Sequence, residues 1–284
     1  NNSTLRTRGW EISLNWKHAL ENGLSYNLGI SLYDYKSVVT KYFNPTGTLS
    51  TWYEGAEVGD IWGYTVNDLF RSQEDLDSYL SKVDMTHIAA NWNTGDLKYE
   101  DINHDGKVNN GTNTIGNHGD LSVIGNDQPH YQYTINGGVS YKGFDFSMLW
   151  RGVAKKDMYF YRGSNIYWGF MGGWWESCLT PEHLDYFRDQ PGSKYSGLYE
   201  GDANINTDAY WPRPYLNNTE EAKNKNHANT RYLQNAAYLR LQNVQLGYSF
   251  PRSITSKMHL EKLRIYFSGE NLLTFSKLPS GIDP

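Results

Sequence analysis

The sequence contains one cysteine, Cys178, which excludes an internal disulfide framework. It also lacks any run approaching the ~20 apolar residues that a membrane-spanning helix needs, and its mean hydropathy is −0.69. No basic run stands out and the formal net charge is −5. We therefore expect no nucleic-acid partner. The first residues, NNSTLRTRGW, lack the apolar core of a signal peptide, so the chain either starts at a mature N-terminus or is a piece of a longer protein.

Aromatic residues are abundant, and many of them lie in segments that alternate between apolar and polar side chains. The clearest example is YQYTINGGVSYKGFDFSMLWRGV, which spans 131–153. A period of two puts every second side chain on one face, so both halves of this segment read as β-strands. Lys142 and Gly143 separate the halves, and glycine supplies the positive φ of a tight hairpin turn. Each strand is longer than the usual strand of a globular sheet.

The same alternation predicts six strands in all. Their predicted ranges are 10–16, 24–35, 131–141, 144–153, 238–250 and 263–275. Short connections alternate with two long loops, 36–130 and 154–237, so that all short turns fall at one end of the sheet. Outer-membrane β-barrels have this asymmetry, and loops of this length are rare in compact domains. We therefore predict an all-β fold, an antiparallel transmembrane β-barrel; a secreted soluble carbohydrate-binding β-domain is the alternative.

A barrel would expose its apolar strand face to lipid, whereas a soluble sandwich would bury it against a second sheet. Six strands do not close a barrel, so we expect a C-terminal portion that lacks a plug domain and the closing strand. The residues predicted to face lipid share one phase of the alternation. They are Trp10, Ile12, Leu14, Leu28, Ile30, Phe146, Met148, Leu246 and Phe267.

Four stretches together resemble the C-terminal region of SusC/RagA-type TonB-dependent transporters. They are Asp101–Val108, Val123–Gly152, Tyr238–Pro251 and Glu270–Phe275. The resemblance implies a barrel of about 22 strands, of which these would be the sixteenth to the twenty-first. It also implies location in the outer membrane of a Gram-negative bacterium and a TonB-driven import function. The implied partners are TonB, acting through an absent N-terminal region, a SusD-like lipoprotein lid, and a glycan or peptide ligand.

Asp101, Asn103 and Asp105 occupy positions 1, 3 and 5 of a calcium-loop pattern. Gly106 allows the sharp turn at position 6, and Lys107 would offer its carbonyl at position 7. Asn109 stands at position 9. Position 12 is Thr112 instead of the usual glutamate, so any calcium site would be weak. The alternative is a loop stabilised by its own Asx turns.

Aromatic residues crowd the second long loop among asparagine, aspartate and arginine. Such rings stack on sugars and also form small cores or partner interfaces. The residues predicted to bind ligand are Tyr167, Trp168, Phe170, Trp174, Trp175 and Trp211. Asp185 and Asp189 could form a glycosidase pair, but two such carboxylates arise by chance in polar segments. Without a nucleophile-elbow motif either, we predict that the chain is not an enzyme.

Overall fold

A computed structural model describes residues 3–160, 165–171, 178–195, 199–215 and 218–284, without the side chains of 165–166 and 218–219. No helix within these ranges is long and apolar enough to cross a membrane. The strands are β1 (Thr4–Ala19), β2 (Ser25–Lys41), β3 (Asp60–Tyr64), β4 (Val66–Leu69), β5 (Leu97–Tyr99), β6 (Leu121–Asn126), β7 (His130–Tyr141), β8 (Phe144–Lys155), β9 (Asp157–Met158), β10 (Gln234–Asn235), β11 (Tyr238–Ser249) and β12 (Arg264–Ser276). The helices are α1 (Gln73–Leu80), α2 (Asn165–Trp168), α3 (Asn218–Lys225) and α4 (Arg252–Thr255), with 3₁₀ turns at Gly169–Met171, Pro181–Leu184, Asp202–Asn204 and Ser256–Met258.

The chain divides into two compact units. We call the first the strand unit; it contains Leu5–Val38, Gln128–Asp157 and Gln234–Pro284. We call the second the loop unit; it contains Val39–Asp127 and Met158–Leu233. The two long connections thus fold together into a compact body of their own.

The strand unit is a six-stranded sheet in the order β1-β2-β7-β8-β11-β12. Adjacent pairs from β2 to β12 are antiparallel. The two-residue turn between β7 and β8 has positive φ at both Lys142 (46°) and Gly143 (88°), as the twist of a tight hairpin requires. Within the sheet, β1 and β12 are the outermost strands, and each has a second edge outside this pairing.

One face of the sheet is apolar from β2 to β12. Ile30 pairs with Ile135, which pairs with Trp150 on the next strand. Trp150 pairs with Leu241, and Leu241 pairs with Leu273. Because paired residues point to the same side of a sheet, this row forms one continuous apolar band.

The opposite face is polar along the adjacent row. Ser31 pairs with Thr134, which pairs with Arg151. Arg151 pairs with Arg240, and the Arg240 Nε donates a hydrogen bond to the hydroxyl of Thr274 at 3.0 Å. The clean separation of the two faces reproduces the alternation seen in the sequence.

Glycine allows a close approach on the polar face at Gly29. A Cβ there would lie 2.2 Å from the Asn136 side-chain oxygen and 2.8 Å from that of Asn15. Any larger residue would push these two amide side chains aside. The sheet therefore carries asparagines on both neighbouring strands across one small residue.

None of the nine residues predicted to face lipid is buried. Met148 is half-buried, and the other eight are 38–65% exposed. A two-sheet sandwich would have buried this set in its core. The exposed apolar face is therefore inconsistent with the soluble alternative.

The loop unit is held by short strand pairs, β3 with β6 and β4 with β5. The Ser72 hydroxyl caps helix α1 by accepting the Asp75 N–H at 3.2 Å. The segment starting at Pro181 forms only a 3₁₀ turn. It ends there because the Phe187 N–H turns to the carbonyl of Trp211 instead of continuing a helix.

Candidate functional site

The predicted calcium loop folds back on its own side chains. Both carboxylate oxygens of Asp101 accept backbone N–H groups, from Asp105 at 3.2 Å and Gly106 at 2.9 Å. The Asn103 side-chain oxygen accepts the Asp105 N–H at 3.0 Å. One Asp105 oxygen accepts the Lys107 N–H at 2.9 Å. The three side chains predicted to converge therefore occupy one tight turn, with Gly106 at φ 82°.

Polar side chains in the second half of the predicted loop also form local hydrogen bonds. The Asn109 side-chain oxygen accepts the Gly111 N–H at 2.6 Å. Thr112 bonds to the hydroxyl of Thr114 at 2.9 Å and to the carbonyl of Asn117 at 3.3 Å. Within the described ranges, no three His, Cys, Asp or Glu side chains form a cluster able to hold a metal. The loop offers only two carboxylates, so any calcium site there would be weak. The calcium site stays a prediction.

Asp120 stabilises this loop through hydrogen bonds from a buried position. The sequence pattern does not reveal this role. Its side chain is fully buried. One oxygen accepts the Ile102 N–H at 2.9 Å and the other accepts the Asn109 N–H at 2.8 Å. A buried carboxylate that satisfies two backbone donors fixes the loop without any ion.

Three of the predicted ligand-binding aromatics lie in the interior of the loop unit. Tyr167, Trp168 and Trp211 are 3%, 1% and 4% exposed. The Trp168 indole donates to the carbonyl of Phe160 at 2.6 Å, and the Trp211 ring stacks on Tyr232 with centroids 5.5 Å apart. This placement matches the loop-core role that the sequence also allowed.

The remaining predicted aromatics differ in position. Phe170 is half-buried and makes edge contacts with His183 and Tyr186. Trp174 and Trp175 lie outside the described residues. A ligand role for any of the six is therefore still a prediction.

His183 joins this aromatic core through both ring nitrogens. Its Nε2 lies 2.8 Å from the carbonyl oxygen of Tyr167, and its Nδ1 is bonded to Thr180. Its ring stacks on Trp211 at 5.2 Å. An isolated histidine in a polar stretch gave no signal of this core position.

Asp96 and Lys223 form an ion pair at 2.8 Å with no exposed side-chain surface. The Tyr215 hydroxyl and the Asn224 amide donate to the other Asp96 oxygen, at 2.7 and 2.9 Å. The Lys223 ammonium also lies 4.6 Å from the centre of the Tyr215 ring. These bonds satisfy a buried pair whose desolvation would otherwise be costly.

Glu221 lies in the same region with 2% exposure. One of its oxygens accepts the Tyr215 N–H at 2.8 Å, and the other has no hydrogen-bond partner in the part of the chain that the structure describes. Burial raises the pKa of this carboxyl to about 7, against the smaller lowering effects of the Tyr215 N–H and of Lys225. This protonation site was not apparent in the sequence.

The two aspartates considered as a glycosidase pair serve separate structural bonds. Asp185 accepts from the Asn206 amide at 2.9 Å. Burial would raise the pKa of Asp189, but the Thr94 hydroxyl and Arg213 outweigh it and lower that pKa. A glycosidase general acid needs a raised pKa, so this geometry gives no support to hydrolysis.

Two TonB-dependent receptors are similar to this chain in sequence. The TonB-dependent receptor P3 of Formosa agariphila is 25% identical over 235 residues, covering 81% of this chain and 19% of the receptor. The TonB-dependent receptor P26 of the same organism is 23% identical over 288 residues, covering 97% of this chain and 25% of the receptor. The chain is a relative of the TonB-dependent receptors. No family-level sequence profile matches it.

Solved structures agree with this relationship at the level of fold. The structure of the RagAB peptide transporter aligns with a TM-score of 0.62 at 16% identity, covering 96% of this chain and 26% of that chain. The RagAB peptide importer in the open-open state aligns with a TM-score of 0.59 at 15% identity, covering 97% of this chain and 26% of that chain. These likenesses confirm the predicted fold class, six strands of a larger antiparallel β-barrel.

The chain spans only about a fifth to a quarter of the length of the receptors it matches, 19% and 25%. The relatives are named as receptors or transporters, a class that is not enzymatic.

Proposed function

We propose that this chain is the C-terminal part of the barrel of a TonB-dependent outer-membrane transporter in a Gram-negative bacterium. The whole transporter would import oligosaccharides or oligopeptides, and a SusD-like lipoprotein would act as its lid. TonB would act on the plug through the N-terminal region, so the residues of this chain bind and position but carry no reaction. The strand unit supplies barrel wall, and the loop unit supplies folded surface for ligand and lid.

One observation carries the proposal: an apolar row runs from β2 to β12 on one face of the sheet, and a polar row runs beside it on the opposite face. A barrel that turns the first to lipid and the second to its lumen uses both. The named relatives support the same assignment. RagAB, which shares the fold, is a peptide transporter by name, while the exposed aromatics of this chain suit sugars equally well.

Energised uptake by whole cells tests this proposal. Cells that express the full-length transporter should accumulate a fluorescently labelled oligosaccharide or oligopeptide and should stop doing so when TonB is deleted. Purification in detergent should retain a lipid-anchored protein in stoichiometric amount. Uptake that persists without TonB, or a protein that stays soluble without detergent, would contradict the proposal.

We also propose, as a second and separate point, that the loop 101–109 binds calcium weakly. The support is that Asp101, Asn103 and Asp105 lie in one tight turn, where their side-chain oxygens accept its backbone N–H groups. The missing carboxylate at position 12 limits the affinity, because ligand charge sets the strength of such sites.

A further inference from the structure

Trp52 differs from the other described tryptophans of the loop unit. It is 46% exposed, and within the described residues its indole makes no ring contact and no hydrogen bond. By contrast, Trp62 and Trp92 donate from their indole nitrogens to Tyr53 and to the Ala89 carbonyl, at 3.1 and 3.0 Å. An exposed indole without an internal partner leaves its apolar face and its N–H available to something outside the chain.

Trp52 lines a hollow of about 340 Å³ together with the Tyr53 and Trp62 rings. A second hollow of about 350 Å³ shares Tyr53 with the first and is also lined by Phe43, which is 78% exposed. Each volume lies near the lower end of the range for ligand pockets, roughly 300–1,000 Å³. We call the two hollows, which share Tyr53, the Trp52 cleft.

Hydrogen bonds from two asparagine side chains stabilise the segment around Trp52. The Asn44 side chain donates to the carbonyls of Thr48 and Trp52, at 2.8 and 3.2 Å, and accepts the Thr48 N–H at 3.1 Å. The Asn113 amide donates to the Ser50 hydroxyl at 3.0 Å. Binding therefore needs little ordering of the chain, which favours affinity.

The groups beside the rings distinguish sugar from peptide. Hydroxyls of Ser50 and Thr51 and the carboxylate of Glu57 line the same hollow as Trp52. Residues 49–56, which carry Trp52, form no strand, so this part of the lining presents no edge to which an extended peptide could add a strand. An aromatic face bordered by hydroxyl and carboxylate groups instead suits a pyranose ring, which stacks its C–H face and bonds at its rim.

The charge of the cleft distinguishes charged from uncharged sugars. Glu54, Glu57 and Asp60 line the two hollows, and no lysine or arginine of the described ranges lines either one. A carboxylated or sulfated sugar would meet like charge there. An uncharged sugar would not.

We propose that the Trp52 cleft binds an uncharged hexopyranose unit of an oligosaccharide ligand, with the ring stacked on Trp52. This proposal rests on the uptake function above and names its substrate class. It moves ligand binding from the second long loop, where the sequence pattern placed it, to the first.

Calorimetry on the full-length transporter in detergent tests the proposal. The probes are maltohexaose and laminarihexaose as uncharged sugars, hexamannuronate as a charged sugar, and octaalanine as a peptide. At least one uncharged hexasaccharide should bind, and Trp52→Ala should weaken that binding about tenfold. Trp52→Phe should retain more of the affinity, because phenylalanine keeps a stacking face. Tyr195→Ala is the matched control; Tyr195 is 83% exposed and lies outside the cleft, so its loss should change nothing.

A second measurement needs no variant. N-bromosuccinimide should oxidise Trp52 in the free protein, and the bound hexasaccharide should protect it, as read by peptide mass spectrometry. Absence of binding by both uncharged sugars at millimolar concentration, equal affinity in Trp52→Ala, or oxidation unaffected by a bound sugar would each overturn the proposal.

The uptake experiment separates failure of this proposal from failure of the function. If a peptide is taken up in a TonB-dependent manner and Trp52→Ala does not change that uptake, the sugar-binding proposal for the Trp52 cleft is wrong and the proposed transport function is supported. If an uncharged sugar binds in detergent in a Trp52-dependent manner but cells show no TonB-dependent uptake, the proposed transport function is wrong and the sugar-binding proposal for the Trp52 cleft is supported.

Discussion

Trp168 shows how a tryptophan in a ligand-like loop becomes a core residue. Its ring contacts Tyr167 and Tyr232 at centroid distances of 5.0 and 5.2 Å, and its indole nitrogen is bonded to a backbone carbonyl. The contact with Tyr232 joins residues that are 64 positions apart in the sequence. Local sequence cannot distinguish such a residue from an exposed one like Trp52, because the partners come from distant parts of the chain.

The first prediction follows from this contrast. Trp168→Ala should lower the free energy of unfolding of the loop unit by about 3–5 kcal/mol, because it opens a cavity among packed rings. Trp52→Ala should leave that free energy nearly unchanged. Thermal unfolding followed by tryptophan fluorescence compares them. A Trp168→Ala protein of normal stability that has lost ligand binding would instead restore the ligand role predicted from the sequence.

The buried carboxyl of Glu221 predicts a pH dependence of stability. Its pKa in the folded protein is about 7 against an ordinary value of 4.5, so folding favours the protonated form. Its contribution to stability is complete below pH 4.5 and is lost as the pH rises through about 7. Glu221→Gln should remove this loss, so the variant should be more stable than the native protein at pH 8 and similar to it at pH 4.5.

Unfolding midpoints at a series of pH values measure the difference between the native protein and Glu221→Gln, which cancels the other titrating groups. Glu220→Gln is a suitable control, because the neighbouring Glu220 has its own partner in Lys223 and is more exposed. Parallel pH profiles for native protein and Glu221→Gln would contradict this prediction, because they would show that folding leaves the pKa of the Glu221 carboxyl at its ordinary value.

Among the elements, the hairpin of β7 and β8 was predictable almost to the residue. Alternation extends along most of both strands, and Lys142-Gly143 marks the turn. Strand β2 was predicted to end at residue 35 but continues to Lys41, because the segment after Tyr35 pairs without a strong apolar phase. Strands β3, β4 and β5 were missed, since three to five residues are too short to show a period.

A charge on the apolar face of β2 should prevent or weaken membrane insertion, whereas its neighbour should tolerate one. Ile30→Lys should cost about 2–4 kcal/mol if Ile30 lies near the middle of the bilayer. Ser31→Lys, one residue further on the polar face, should insert and fold as the native protein does. Folding into liposomes, read by heat-modifiable gel mobility, gives the comparison. Equal behaviour of the two variants would mean that neither face meets lipid.

The loop 101–109 should respond to calcium through its two carboxylates. Calcium at millimolar concentration should raise the unfolding midpoint of the full-length protein relative to EDTA, as any ligand of the folded state does. The double variant Asp101→Asn, Asp105→Asn should lose this response. Asp84→Asn, outside the loop, should keep it. Identical midpoints in calcium and EDTA for the native protein would leave the loop as a turn stabilised by its own hydrogen bonds.

At the scale of the whole molecule, the sequence predicted the barrel fold better than it predicted the position of a ligand or ion site. Two-residue alternation survives in any barrel segment, so Leu28, Ile30 and Leu246 could be assigned to one face without knowledge of their neighbours. Ligand and ion sites depend on which distant loops meet. Asp120 reaches Ile102 and Asn109 across 11 or more residues, and no spacing rule reveals that contact.

The most direct test of the transporter barrel is the environment of each face of β2 in a lipid bilayer. Spin labels would replace Asn27, Leu28, Ile30, Ser31 and Leu32 one at a time in full-length protein, with Cys178→Ser as background, after reconstitution into liposomes. Labels at 28, 30 and 32 should collide with oxygen, which concentrates in lipid, and labels at 27 and 31 with a water-soluble nickel chelate. Apolar positions shielded from both reagents, as in a soluble core, would contradict the membrane barrel.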